Sequence, residues 1–174
     1  PKYGFQIDFN YSQQRRLLTT GFENNPFQAP GIPMRWNVIK AFNIQTVYTN
    51  GFKANQSDFY QNLQYRFTYN DASADLSYQF QTFLRISAKY EFSLKVNPTD
   101  TVGKQTAQQH KFTLTARYNR QSKSAIDANL SYATISYQDK NFPNQQLEYA
   151  MLDGLQNGNN LVWGVGYSQN LTQN

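Results

Sequence analysis

Between residues 84 and 96 the chain alternates without a break. Leu84, Ile86, Ala88, Tyr90, Phe92, Leu94 and Val96 are apolar or aromatic, and Arg85, Ser87, Lys89, Glu91, Ser93 and Lys95 between them are polar. Only a β-strand resolves a period of two into two clean faces. At roughly 3.3 Å per residue the stretch reaches about 40 Å, roughly twice the usual strand. One apolar face and one charged face over that length suit a wall with hydrocarbon on one side and water on the other. The pattern predicts a transmembrane β-barrel.

The same period recurs along the chain. Tyr3, Phe5, Ile7, Phe9 and Tyr11 mark a first strand. Residues 12–34 lose the alternation and carry Pro26, Pro30, Gly31 and Pro33, which predicts a long loop. Trp36 and Val38 restart a short strand, residues 39–43 turn, and Ile44, Thr46 and Tyr48 continue. Leu63, Tyr65, Phe67 and Tyr69 alternate on odd positions, whereas Leu76, Tyr78 and Phe80 alternate on even ones. Two strands or one strand slipping phase at a β-bulge would produce this. Phe112, Leu114, Ala116 and Tyr118 give a further strand, as do Ile126, Ala128, Leu130 and Tyr132. Ile135 and Tyr137 follow out of phase, suggesting a second bulge near Ala133. Residues 145–152, ahead of Gly154, predict one or two helical turns inside the long loop 138–160. Leu161, Trp163, Val165 and Tyr167 make the last strand.

Taking 59–80 as one bulged strand gives about eight strands. Their connections then run long, short, medium, short, long, short, long. Short turns on one rim and long loops on the other are the asymmetry of outer-membrane barrels, and this favours the bulge. The expected fold is all-β, an antiparallel transmembrane β-barrel forming a single region over residues 1–174.

Composition leaves that expectation standing. Hydrophobic residues are 39% of the 174 and the mean hydropathy is −0.73. No run approaches the ~18–20 apolar residues of a transmembrane helix, but in a barrel only alternate residues meet lipid. Aromatic residues reach 16%, in keeping with interfacial girdles. The absence of Cys removes disulfides and thiolate metal sites. The +5 charge is scattered among strands instead of gathered in a run, so nucleic acid is not an expected partner.

Specific stretches resemble a known group. Asn10-Tyr11-Ser12, Arg35-Trp36-Asn37 and Thr46-Val47-Tyr48-Thr49-Asn50-Gly51 resemble barrel repeats of large Bacteroidetes-type outer-membrane proteins. Glu148-Tyr149-Ala150-Met151-Leu152-Asp153-Gly154-Leu155-Gln156-Asn157-Gly158, followed by Asn160-Leu161-Val162-Trp163, is similar to the last long loop and penultimate strand pair of such barrels. The resemblance implies an outer-membrane location in a Gram-negative bacterium and brings no catalytic residue. Those proteins end on an aromatic-terminated strand, whereas this chain runs from Pro1 to Leu171-Thr172-Gln173-Asn174. The expectation is part of a larger, incomplete barrel, with a complete eight-stranded one as the alternative.

On the barrel reading the polar positions face the lumen: Arg66, Arg85, Lys89, Glu91, Lys95, Lys111 and Arg117, together with Asp8 and Asp127. They could attract anions, or simply close a polar interior by ion pairs. Tyr3, Tyr11, Tyr90, Tyr118, Tyr132, Trp163 and Tyr167, with Tyr137, are candidates for interfacial belts. His110, the single histidine, stands where a loop meets a strand and lacks a G-x-S-x-G partner motif. Asp71 and Asp75 fall in the supposed bulge, and the sequons at Asn55, Asn129 and Asn170 are what an Asn-rich chain yields by chance. No cofactor, metal or catalytic site is expected. The functional expectation is a structural, transport or complex-forming barrel component, not an enzyme. It would contact lipid and, through loops 12–34, 97–109 and 138–160, other outer-membrane or surface proteins. The alternatives are a soluble all-β binding domain and a small lipid-modifying barrel enzyme.

Overall fold

The computed structural model describes residues 3–18, 21–39, 41–57, 64–97, 105–120, 124–138 and 145–169. Its strands are β1 (Tyr3–Phe5), β2 (Asp8–Leu18), β3 (Gly21–Ile39), β4 (Phe42–Ser57), β5 (Tyr65–Phe80), β6 (Leu84–Asn97), β7 (Gln105–Arg120), β8 (Ser124–Gln138) and β9 (Gly158–Gln169). One helix, α1 (Gln145–Leu152), lies between the last two, where the residues before Gly154 predicted it. All nine strands form one antiparallel sheet, each strand from β3 to β9 pairing with its sequence neighbour. The sheet does not close: β1 and β2 stand at one edge and β9 at the other.

The expected loop over 12–34 is instead a hairpin of β2 and β3. Tyr3↔Trp36 and Asp8↔Gly31 lie on a single register, so β1 and β2 form one stave broken at Gln6 and Ile7. Eight staves therefore make up the nine strands. The prolines interrupt the ladder without ending it. Gln6 N–H donates to the Pro33 carbonyl at 3.2 Å, but Pro33 has no N–H to return. An antiparallel residue turns both its polar groups to the same neighbour and the next residue turns away. Pro33 faces β1, so Pro26 and Pro30 face β4. The β3–β4 pairing skips from Asn24↔Gln56 to Phe27↔Lys53 and from Gln28↔Phe52 to Gly31↔Thr49, at those two prolines.

Neither expected bulge exists. The pairings of β5 with β4 and β6, and of β8 with β7 and β9, run in unbroken register. The one register shift lies between Asn37 and Ile39 of β3. The phase changes have another cause: the apolar side chains change face along the strand, buried at the upper end and exposed lower down. Phe67, Tyr69, Ala133 and Ile135 are buried on the odd-numbered face at the upper end of β5 and β8. Leu76, Tyr78, Leu130 and Tyr132 lie on the even-numbered face lower down.

That upper core is built around α1. Leu147 and Met151 join Phe67, Tyr69, Ala29 and Ala107 in one cluster, with Phe27, Tyr65, Tyr137 and Ala150 packed against it. β3, β5 and β7 thus converge beneath a helix of eight residues, although flat strands four steps apart would be about 19 Å distant. The sheet wraps its odd face around α1. The helix ends through left-handed residues, Asp153 (φ 53°) and Gly154 (φ 76°), with Gly154 N–H donating to the Tyr149 carbonyl at 3.1 Å.

Gly51 is required where β3, β4 and β5 meet. A Cβ there would stand 2.1 Å from the Gln28 carbonyl oxygen and 2.8 Å from the Tyr69 hydroxyl. Gly51→Ala should cost about 1–3 kcal/mol through overpacking, read as a lower urea midpoint with unchanged slope. An unchanged midpoint would show that Tyr69 does not lie over this position.

Short links join strands at the lower end, where β3 ends at Ile39 and β4 begins at Phe42, and Gln81 to Phe83 join β5 to β6. At the upper end β4–β5, β6–β7 and β8–β9 are joined by longer segments, whereas β2 ends only three positions before β3 begins. Of the predicted contact loops, 97–109 gives up residues 105–109 to β7, and 138–160 contains α1 and gives up residues 158–160 to β9; other residues of both lie outside the described ones.

Candidate functional site: the polar face of the sheet

Cross-strand pairs share a face, so the register sorts every candidate side chain. Arg85 pairs with Arg117, which pairs with Asp127; Lys89 pairs with Thr113, and Glu91 with Lys111. Lys95 pairs with Tyr69 and Ala107. These six candidates (Arg85, Lys89, Glu91, Lys95, Lys111 and Arg117) therefore lie on the odd face that α1 covers at its upper end. Arg66 does not. It pairs with Ala54 on the even face, with its guanidinium 5.0 Å from the centre of the Phe52 ring. The unbroken register of β5 is the reason: without the expected bulge, Arg66 stays in phase with Leu76.

The polar face is tied together in layers. Glu91 accepts from Lys89 at 2.7 Å and from Lys111 at 3.5 Å. These groups are half exposed, so each pair is worth about 0–1 kcal/mol. Ser87 and Thr115 share a hydroxyl hydrogen bond, as do Thr113 and Ser131 at 3.2 Å. Higher up, buried Lys95 donates to Asp153 at 2.6 Å, just past the end of α1, and lies 5.9 Å from the Phe67 ring centre. This contact fixes the helix end to β6. Below α1, Thr49, Asp71, Ser93, Gln109, Lys111 and Asp153 surround a pocket of about 290 Å³. Asp71 belongs to an unbroken strand, not a bulge. Nearer the short links, Arg85, Ser87, Thr115, Arg117, Asp127 and Asn129 line a pocket of about 520 Å³, with Gly164 and Gly166 as its floor.

The even face is its opposite. Leu76, Ile86, Leu114, Leu130 and Trp163 are exposed in adjoining positions, Trp163 to 71%. Monomeric soluble proteins rarely expose contiguous apolar patches beyond a few hundred Å². Tyr90, Phe112 and Tyr132 form one upper row of this band, and Tyr118 and Tyr167 lie in its lowest row. Tyr3 pairs with Trp36 and Trp163 with Leu130, on the same even face. Tyr11, paired with Gln28, lies above the band, and Tyr137 is on the polar face with Lys95 and Ala107.

His110 stands within β7, not at a loop junction, and on the even face beside Phe92. Its Nε2 lies 2.9 Å from the Gln108 amide nitrogen and its Nδ1 2.7 Å from the Tyr90 hydroxyl, both within hydrogen-bond distance. Both nitrogens are engaged by neutral partners. Among the described residues no group of three His, Cys, Asp or Glu side chains could hold a metal ion. None of their helices is long and apolar enough to cross a membrane, which says nothing about crossing by strands.

Comparisons with protein families, curated proteins and solved structures found no match to this chain.

Proposed function

We propose that this chain is a stretch of the wall of a bacterial outer-membrane β-barrel with a structural, transport or complex-forming role. The observation that carries the reading is the exposed apolar face of the sheet set against a polar, ion-paired one. An outer-membrane barrel carries an apolar band about 25 Å tall. From Leu84 to Val96 the apolar face of β6 covers about 40 Å along the strand, or roughly 30 Å at a 40° tilt, enough to span such a band. On this reading the even face meets lipid and the odd face lines the lumen. The lower-end links then face the periplasm, and the upper-end segments between β6 and β7 and between β8 and β9 face outward as contact sites for surface proteins.

The helix argues for a barrel larger than eight strands. An eight-stranded interior is just filled by side chains, whereas a helix with its side chains is about 10–12 Å across. Eleven-stranded cans do hold a central helix. Joining β9 directly to β1 and β2 would drive α1 out of the face it packs against. Both edges therefore take further strands with the same apolar-out, polar-in alternation.

Purification with and without detergent tests the reading. The expected result is a folded, monodisperse chain in detergent micelles or lipid and aggregation in their absence. A chain that stays folded and monomeric in plain buffer would overturn it and favour a soluble all-β binding domain.

A further inference from the structure

The lower end of the polar face holds an arrangement that ion pairing leaves unbalanced. Arg85 and Arg117 are direct cross-strand partners, with Cβ atoms about 4.5–5.5 Å apart, and like charges so placed destabilise a sheet. Asp127 is the one carboxylate lining their pocket, and it meets Arg117 through Nε at 3.4 Å. Among the described residues Arg85 has no ion-pair partner. Around the two arginines stand neutral groups: the Ser87 and Thr115 hydroxyls and the Asn129 amide.

The floor opposite them has been kept open. Gly166 pairs with Asp127, and a Cβ there would only touch Asp127 at 4.0 Å, so neither crowding nor a positive φ demands glycine. At Gly164 a Cβ would stand 2.6 Å from Asn129 Oδ1, so the Asn129 amide leans over the space the missing side chain leaves. The resulting pocket of about 520 Å³ is within the range of small-molecule sites.

We propose that this pocket binds a small oxyanion, a carboxylate or phosphate group, held by the guanidinium groups of Arg85 and Arg117 together. Arginine presents paired donors in a planar fork that matches such groups bidentately. A bound anion would relieve the repulsion between the two cations, and Asn129 and the hydroxyls would supply neutral donors at its margin. The site depends on the register of β6 to β9 and not on what covers the other face of the sheet.

Calorimetric titration of the folded chain at low ionic strength, with inorganic phosphate in one arm and succinate in the other, tests the proposal. Saturable binding in at least one arm is expected, and the stronger arm identifies the preferred group. Arg85→Gln and Arg117→Gln should each weaken it about tenfold or more, the loss of a charged hydrogen bond. Lys111→Gln, on the same face but engaged with Glu91, should leave it unchanged. No saturable binding in either arm, or an equal loss in Lys111→Gln, would overturn the site, the latter by showing only diffuse attraction to a basic face. Because binding is read directly in whichever medium keeps the chain folded, the site can fail while the membrane reading stands, and the reverse.

Discussion

Phe67→Ala should lower the unfolding free energy by about 3–5 kcal/mol, the range for deleting a buried aromatic ring. Phe67 is 2% exposed and Met151 1%, and they are the two largest fully buried side chains of the described residues. The ring packs beside Tyr65 with centroids 5.9 Å apart and under the Lys95 ammonium, so truncation opens a cavity where β5 meets α1. Thr68→Ala, one position along and exposed on the other face, should stay within about 0.5 kcal/mol. Urea titration of both variants in the medium that keeps the wild type folded provides the comparison. A loss below about 1 kcal/mol for Phe67→Ala would mean that α1 is not docked on this face. In that event α1 would no longer require a wide barrel.

Ala88→Arg should be the most damaging surface change on the even face. Ala88 lies in the middle of the apolar band, between Leu76 and Leu114 in register. A cation on the lipid face at mid-depth of a barrel costs about 2–4 kcal/mol. Ser73→Arg supplies the contrast. Ser73 stands on the polar face directly opposite Glu91, so the new guanidinium meets water and a carboxylate, and the cost should stay within about 0.5 kcal/mol. Folding yield into lipid vesicles and urea midpoints read the difference. Equal losses at both positions would count against a lipid-facing even side, and a reversed order would exchange the two faces.

The pattern of residues 84–96 carried most of the architecture by itself. Strict alternation leaves one strand conformation that separates the two sets, and β6 spans those residues. Six of the seven inward candidates could be placed on a common face from the same period, because pairing conserves side. The helix at 145–152 was also legible, through the glycine that ends it.

Two failures have physical causes that reading along the chain could not supply. Pro26, Pro30, Gly31 and Pro33 within 12–34 read as a loop, because proline removes ladder hydrogen bonds. In β3 those losses fall at isolated positions of a strand paired on both sides, and the neighbouring residues keep the register. The phase changes in β5 and β8 read as bulges because the apolar set was assumed to stay on one face. α1 buries the odd face at the upper end alone, so the apolar set crosses the sheet while the backbone stays regular.

Local sequence therefore determined that the chain is an antiparallel, two-faced sheet, since side-chain period depends only on the residues of each strand. Tertiary structure decided where the helix lies, which end of each strand is buried, that Arg66 leaves the polar face and that Arg85 confronts Arg117. Those facts depend on register between strands and on a segment far away in the chain. No period within a single strand records them.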